Sequence, residues 1–87
     1  MKVEGRLFRE SILLNVDYVT YEDETLRFSK ELENALILLC RKMDIPVPLW
    51  LDKNTQEFAA FRQTVFFSEQ FSQKVEFERF QFKLCNE

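Results

Sequence analysis

The sequence predicts a small α+β domain in which an antiparallel sheet, with elements in the order β-β-α-α-β, carries one long and one or two short helices on one face. Three observations predict this class. Both ends of the chain alternate apolar and polar residues with the period of a half-buried strand. An apolar stripe of helical spacing runs through the middle. With 87 residues, the chain is long enough for one domain, spanning 1–87, and too short for two.

The first third of the chain predicts two strands. Val3, Gly5 and Leu7 alternate with charged residues. A second extended segment, residues 12–21, is rich in β-branched and aromatic side chains, which favour a pleated surface. The break at residues 9–11 is either the turn of a hairpin or a bulge in one long strand.

The central helix is predicted by five apolar residues at spacings of three and four: Phe28, Leu32, Leu36, Leu39 and Met43. Ser29 is a plausible N-cap for a core helix from Lys30 to Met43, although the helix could begin earlier. Pro46 prevents its continuation. The acidic residues just before it (Glu22, Asp23 and Glu24) suit the positive end of a helix dipole, with a site for a hard cation as the alternative interpretation.

Two apolar residues of this helix do not lie on the stripe. Leu38 points nearly opposite Leu36, and Ile37 flanks the polar side. Either the Trp50 or C-terminal Phe segments of the same chain cover them, or a partner protein or a second copy does. Ile37, Leu38 and Trp50 are therefore the candidate interface residues.

The second half predicts a connector, a helical region and a final strand. Residues 47–51 form an extended connector, and Asn54 with Glu57 gives the pattern of a capping box. Residues 55–74 are interpreted as one bent helix or two short ones. Residues 75–84 alternate as a strand whose phase slips, which predicts a bulge or sharp turn at Glu78-Arg79.

Composition excludes several kinds of chemistry. The chain has no histidine, one glycine and two cysteines, Cys40 and Cys85, so it offers no histidine base, no phosphate-cradling loop and no CxxC motif. We predict no catalytic residue, no cofactor and no metal site. The cysteines are expected to be reduced thiols of a cytoplasmic protein.

Charge and hydropathy limit the partners. The net charge is −3, with both signs scattered along the chain, which disfavours nucleic acid and anionic membranes without excluding a local basic patch. The longest apolar run is far too short to span a bilayer.

One segment carries a resemblance. Residues 45–51 (Ile-Pro-Val-Pro-Leu-Trp-Leu), the motif residues at 53–55, 57–58 and 61–62, and the closing Phe77-Glu78-Arg79-Phe80 resemble a group of small uncharacterised bacterial proteins. The resemblance covers roughly the second half of the chain. It implies a bacterial, cytoplasmic protein and no particular activity.

The sequence therefore predicts a small non-catalytic module that binds a protein partner or itself. One alternative is binding of single-stranded nucleic acid through the C-terminal aromatic strand, by Arg79, Phe80, Phe82 and Lys83. Alternating phenylalanines on a strand are more often core, which weighs against it. The other alternative is a small ligand-binding protein or enzyme that uses carboxylates or Cys85.

Overall fold

The computed structural model describes residues 1–85, and this part of the chain contains four strands, two α-helices and one 3₁₀ helix. In chain order they are β1 (Lys2–Arg9), β2 (Ile12–Thr20), α1 (Phe28–Lys42), α2 (Asp52–Phe61), β3 (Gln63–Phe67), a 3₁₀ helix (Ser68–Gln70) and β4 (Arg79–Cys85). The strands form one antiparallel sheet in the order β2-β1-β4-β3. The predicted α+β class and β-β-α-α-β order are confirmed, and β3 is an additional strand.

The first two strands form a hairpin, which was one of the two alternatives for the break at residues 9–11. Arg9 pairs with Ile12, so residues 10–11 form the turn. The hairpin also contains a bulge, because the register shifts beside Phe8 and leaves Leu14 without a partner on β1. A bulge of this kind increases the local twist of an edge strand.

The core lies between the helices and one face of the sheet. Alternate residues of β1, β3 and β4 point toward the helices and are fully buried, as are side chains of α1: Val3, Phe66, Phe80, Phe82, Leu39 and Cys40. Stacked rings connect neighbouring strands at Phe66–Phe80, with centroids 5.8 Å apart, and connect α2 to the sheet at Phe58–Phe82, with centroids 5.9 Å apart. Phenylalanine is therefore the most frequent residue of the core, with six of its fifteen buried hydrophobic side chains.

Gly5 lies at the centre of β1, where α1 and β4 approach the strand most closely. A Cβ atom at this position would stand 2.6 Å from Cε1 of Phe80, 2.9 Å from Sδ of Met43 and 3.0 Å from Cδ2 of Leu39. Contacts this short require the neighbours to move. The only glycine of the chain thus sets the distance between the helix layer and the sheet.

The prediction of helix throughout residues 55–74 is wrong. Helix α2 ends at Phe61, because Arg62 adopts the left-handed conformation (φ 59°). Residues 63–67 then pair with β4 as strand β3. Phe61 and Val65 have helical spacing by coincidence, whereas the alternation of buried Thr64 and Phe66 is the period of a strand.

Three boundaries also differ from the predictions. Helix α1 begins at Phe28, so Ser29 lies inside it and is not the N-cap. Helix α2 begins at Asp52, which makes Asn54 its third residue instead of its cap. The last strand begins at Arg79 and not near residue 75, although the chain does bend at Glu78, where a bulge or turn was predicted.

We predict that Gly5→Ala destabilises the protein by about 1–3 kcal/mol, the usual cost of overpacking a core. Where there is room for a Cβ atom, alanine in a strand is more stabilising than glycine by about 0.5–1 kcal/mol. A loss of stability in Gly5→Ala would therefore indicate overpacking. The measurement is the free energy of unfolding in urea. The double variant Gly5→Ala/Phe80→Leu should lose less than the sum of its two single variants. Increased stability in Gly5→Ala would show that the neighbouring side chains yield easily.

Candidate functional site

A concave groove lies between α1, α2 and the connector that joins them. Its volume is about 690 Å³, within the range of ligand-binding clefts. Helix α1 forms one wall, α2 the other, and residues 47–50 close one side. The lining is predominantly apolar: Phe28, Leu32, Leu36, Ile37, Val47, Pro48, Leu49, Trp50, Phe58 and Ala59, with Ser29, Glu33 and Thr55 as the polar members.

The structure brings together two of the three candidate interface residues. Ile37 and Trp50 both line the groove and are half-buried. Leu38, which is 36% exposed, instead lines a shallow concavity beside Tyr18 on β2. The connector that contains Trp50 thus lines the same groove as Ile37. Strand β2, and not the Trp50 or C-terminal segments, lies beside Leu38.

Trp50 is held rigidly at the floor of the groove. Its ring packs in tilted and edge-on contacts on three phenylalanines, with centroids 6.1 Å from Phe58, 5.5 Å from Phe66 and 6.5 Å from Phe82. The indole Nε1–H donates to Oγ1 of Thr55 at 2.8 Å. A half-buried ring with its polar group already paired presents an apolar surface to any occupant.

A buried polar network holds the connector wall in place. The carboxamide oxygen of Asn54 accepts from the Leu51 backbone N–H at 2.9 Å and from Nε2 of Gln70 at 3.0 Å. The nitrogen of the same carboxamide donates to Oγ1 of Thr64 at 2.7 Å. Gln70 in turn donates to the carbonyl of Leu49 at 3.1 Å. Asn54 therefore connects α2, the connector, β3 and the 3₁₀ helix.

Both edges of the sheet carry groups that occupy backbone hydrogen-bonding positions. At β2, the Tyr18 N–H donates to Asp17 Oδ1 at 2.8 Å, and the Tyr18 carbonyl accepts from Lys42 Nζ at 2.9 Å. The Tyr18 N–H, and then the Lys42 ammonium, lower the pKa of Asp17. At β3, the Val65 carbonyl accepts from Lys53 and Asn54. These positions are closed to pairing with a further strand.

The residues of the predicted nucleic-acid strand divide between the two faces of the sheet. Phe80 and Phe82 point into the core and are 0% exposed, so neither ring is available for base stacking. Arg79 and Lys83 alternate with them and lie on the opposite, helix-free face. The interpretation of these phenylalanines as core residues agrees with their positions.

The acidic residues before α1 take part in local hydrogen bonds. Glu22 pairs with the amino group of Met1 at 2.6 Å, and Asp23 accepts from the Thr25 backbone N–H at 3.0 Å. The Thr25 hydroxyl also donates to Asp23 at 2.5 Å, and this hydrogen bond, followed by the one from the backbone N–H, lowers the pKa of Asp23. Within residues 1–85, no group of three or more histidine, cysteine or carboxylate side chains has the arrangement of a metal site.

The two cysteines are free thiols in different environments. Cys40 is fully buried against the core, and burial raises the pKa of its thiol to about 12. Cys85 is half-buried at the end of β4. A protonated, enclosed thiol is a poor nucleophile, so Cys40 acts as a small core residue.

Comparison with known proteins leaves the groove as the main basis for a function. No family model, curated protein or solved structure matches this chain. None of the helices in the described part of the chain is long and apolar enough to cross a membrane. A function must therefore be argued from the geometry and chemistry of the surfaces.

Of the groove residues, only Ile37 and Trp50 were identified as site residues from the sequence, and Phe28, Leu49 and Ala59 are three of those that were not. Phe28 was assigned to the core stripe but is 49% exposed at the rim, and Leu49 is 64% exposed on the connector. Ala59 lies on the facing wall. A signal existed for Leu49, because it lies between Pro48 and Trp50 in a segment without polar residues. Nothing in the sequence distinguishes Ala59 from its neighbour Ala60.

We predict that Asn54→Ala destabilises the protein by about 3 kcal/mol, because it leaves several buried polar groups unpaired at about 1–3 kcal/mol each. Loss of the connector anchor should also shift Trp50 fluorescence to longer wavelength in the folded state. The control is Asn34→Ala, which removes one hydrogen bond of 3.0 Å to the Tyr21 hydroxyl and should cost about 1 kcal/mol. Equal costs for the two variants would contradict a special role for Asn54.

We predict that Ellman's reagent at pH 8 modifies one thiol per native chain, that of Cys85, and two thiols after unfolding. The raised pKa keeps Cys40 protonated at this pH, and its burial excludes the reagent. The variant Cys85→Ser should therefore show no reactive thiol until it is denatured. Rapid modification of two thiols in the native protein would contradict the prediction.

Proposed function

We propose that the chain is a small non-catalytic interaction module that binds an amphipathic helix of a partner protein in the groove between α1 and α2. The observation that supports this proposal is the groove itself, whose lining is apolar and which exposes Phe28, Val47 and Leu49 at its rim. Exposed apolar surface of this kind commonly marks a partner site. A helix laid between two others buries an apolar stripe along its whole length.

The shape and charge of the groove favour a basic helix. The polar groups at the sheet edges already occupy strand positions at Tyr18 and Val65, which weighs against binding by strand addition. Glu33 is the one charged residue among those that line the groove, its contact with Lys30 is an exposed one of 3.4 Å, and the chain carries a net charge of −3. A partner helix with leucine-like residues at spacings of three and four, flanked by lysine or arginine, would complement both features.

A second copy of this chain is the competing occupant, and it would use the Leu38 side of α1. Leu38 lies beside β2, whose residues Ile12, Leu14 and Val16 are exposed. We favour the groove because it is the deeper of the two apolar surfaces and contains both Ile37 and Trp50. We extend the proposal to a bacterial cytoplasm on the resemblance noted above and on the two free thiols, which suit a reducing compartment.

The test uses Trp50 as its reporter, since it is the only tryptophan and lines the groove. The probe is a designed peptide of about fourteen residues, long enough for three to four helical turns, with leucines at helical spacing and lysines elsewhere. We expect saturable changes in Trp50 fluorescence with wild-type protein. Ile37→Glu should weaken binding at least about tenfold, as charging an interface anchor does, and Leu38→Glu should leave it unchanged.

Two exposed alanines give a second matched pair that does not disturb the core. Ala59→Lys places a cation inside the groove, whereas Ala60→Lys places it on the adjacent surface outside the lining. Only Ala59→Lys should weaken binding of the basic peptide. Absence of any Trp50 response, or equal effects within either pair, would overturn the proposal. A dimer by light scattering that Leu38→Glu alone dissociates would assign the interface to a second copy instead.

A further inference from the structure

The face of the sheet opposite the helices combines cations with aromatic rings. No helix of the described chain covers it, because α1 and α2 both pack on the other face. Its charged residues from β1 and β4 are four cations and one carboxylate, and its rings come from β1, β2 and β3. These residues are Lys2, Arg6, Arg79, Lys83 and Glu4, with Phe8, Tyr18 and Phe67.

Charge on this face has the opposite sign to that of the chain as a whole. Residues 1–85 contain twelve lysines and arginines and fourteen aspartates and glutamates. The face holds four of these cations and one of these carboxylates, so eight cations and thirteen carboxylates of the described residues lie elsewhere. The single carboxylate, Glu4, is already paired with Arg6 at 2.8 Å. The uncovered face is therefore a local basic surface on an acidic protein, and its complement is a polyanion.

The strand register places the cations among the rings. Arg79 pairs with Phe8 on one side and with Phe67 on the other, so its guanidinium lies in a row between two aromatic residues. The guanidinium carbon is 4.6 Å from the centre of the Phe8 ring. Lys2 Nζ lies 4.3 Å from the Tyr18 ring. Lys42 Nζ also lies 5.4 Å from the Tyr18 ring and Lys53 Nζ lies 4.8 Å from the Phe67 ring, yet these two aromatic residues remain 53% and 41% exposed.

We propose that this face binds single-stranded nucleic acid, with phosphates on the cations and bases stacked on the exposed rings. Base stacking on an open sheet beside positive charge is a general mode of single-strand recognition. A polyanion without bases would gain nothing from the rings. The surface lies on the opposite side of the sheet from the groove. A test of this proposal is therefore independent of whether a partner helix binds in the groove.

The first test changes the cations. The probe is fluorescein-labelled oligo(dT) of about twelve nucleotides, a length suited to one small sheet surface, and the readout is anisotropy at several salt concentrations. Four phosphate contacts on a single strand give a slope of log affinity against log salt of about −3. Arg6→Gln/Lys83→Gln should bring that slope to about half. The control Lys30→Gln/Arg41→Gln removes the same charge from exposed positions on α1 and should leave the slope unchanged.

The second test changes the rings. Phe67→Ala should weaken binding at least about fivefold, the usual minimum for loss of one stacking ring. Tyr18→Ala should do the same and covers the case in which Phe67→Ala is misfolded. The control is Phe61→Ala, which removes a more exposed ring (70%) from α2, on the helix side, and should have no effect.

Each outcome decides the proposal. Salt-sensitive binding that depends on the outer cations and on the outer rings would support it. It would be overturned by absence of binding at low salt, or by equal losses in target and control variants. Binding that inorganic polyphosphate inhibits as effectively as unlabelled oligo(dT), and that both ring variants retain, would show a general anion surface and would also overturn it.

Discussion

The Asn54 carboxamide, together with the Gln70 side chain, joins four segments of the chain. It belongs to α2, it accepts from the connector at Leu51 and from Gln70, and it donates to Thr64 on β3. Every buried side-chain nitrogen and oxygen in the described part of the chain has a partner, so the network is complete. A complete buried network fixes one arrangement, because any alternative leaves a polar group unpaired in a medium of low dielectric. The position of the connector, which closes one side of the groove, depends on this network.

The other half of the architecture depends on absence of a side chain. Gly5 lets Phe80, Met43 and Leu39 meet over the centre of β1. This close approach buries the centre of one face of the sheet, and no helix within residues 1–85 packs on the other face. Because successive side chains of a strand point to opposite faces, the residues between the core positions of β1 and β4 form a second surface. Here that surface is basic and aromatic.

The two candidate surfaces therefore differ in chemistry as well as in position. The groove on the helix side is apolar, with Glu33 as its charged lining residue. The sheet side carries four cations and three rings. Net charge and composition average over both, which explains why a net charge of −3 disfavoured nucleic acid in the sequence analysis without excluding a local patch. Two partners of different chemistry could occupy the two sides without competing.

Local pattern identified the strands at both ends and the central helix, because there a single face is buried and the apolar period follows directly. The local pattern failed for residues 63–67, because their sequence fits both the helical period and the strand period. Only the pairing of these residues with β4 distinguished the two. The candidate site divides in the same way. The two apolar residues outside the helix stripe, Ile37 and Leu38, were visible in the sequence. Their placement on two different surfaces, the groove and the concavity beside β2, was not.

What the sequence by itself determined is the class of fold, the phenylalanine core and the absence of histidine chemistry, since these follow from period and composition alone. Only the tertiary structure decided which side chains share a surface. Trp50 and Ile37 line one groove because the Asn54 network holds the connector beside α1 and α2, and Arg79 lies beside Phe67 because β3 pairs with β4. Such neighbours are far apart in the chain, and their contact depends on a register that no local pattern contains.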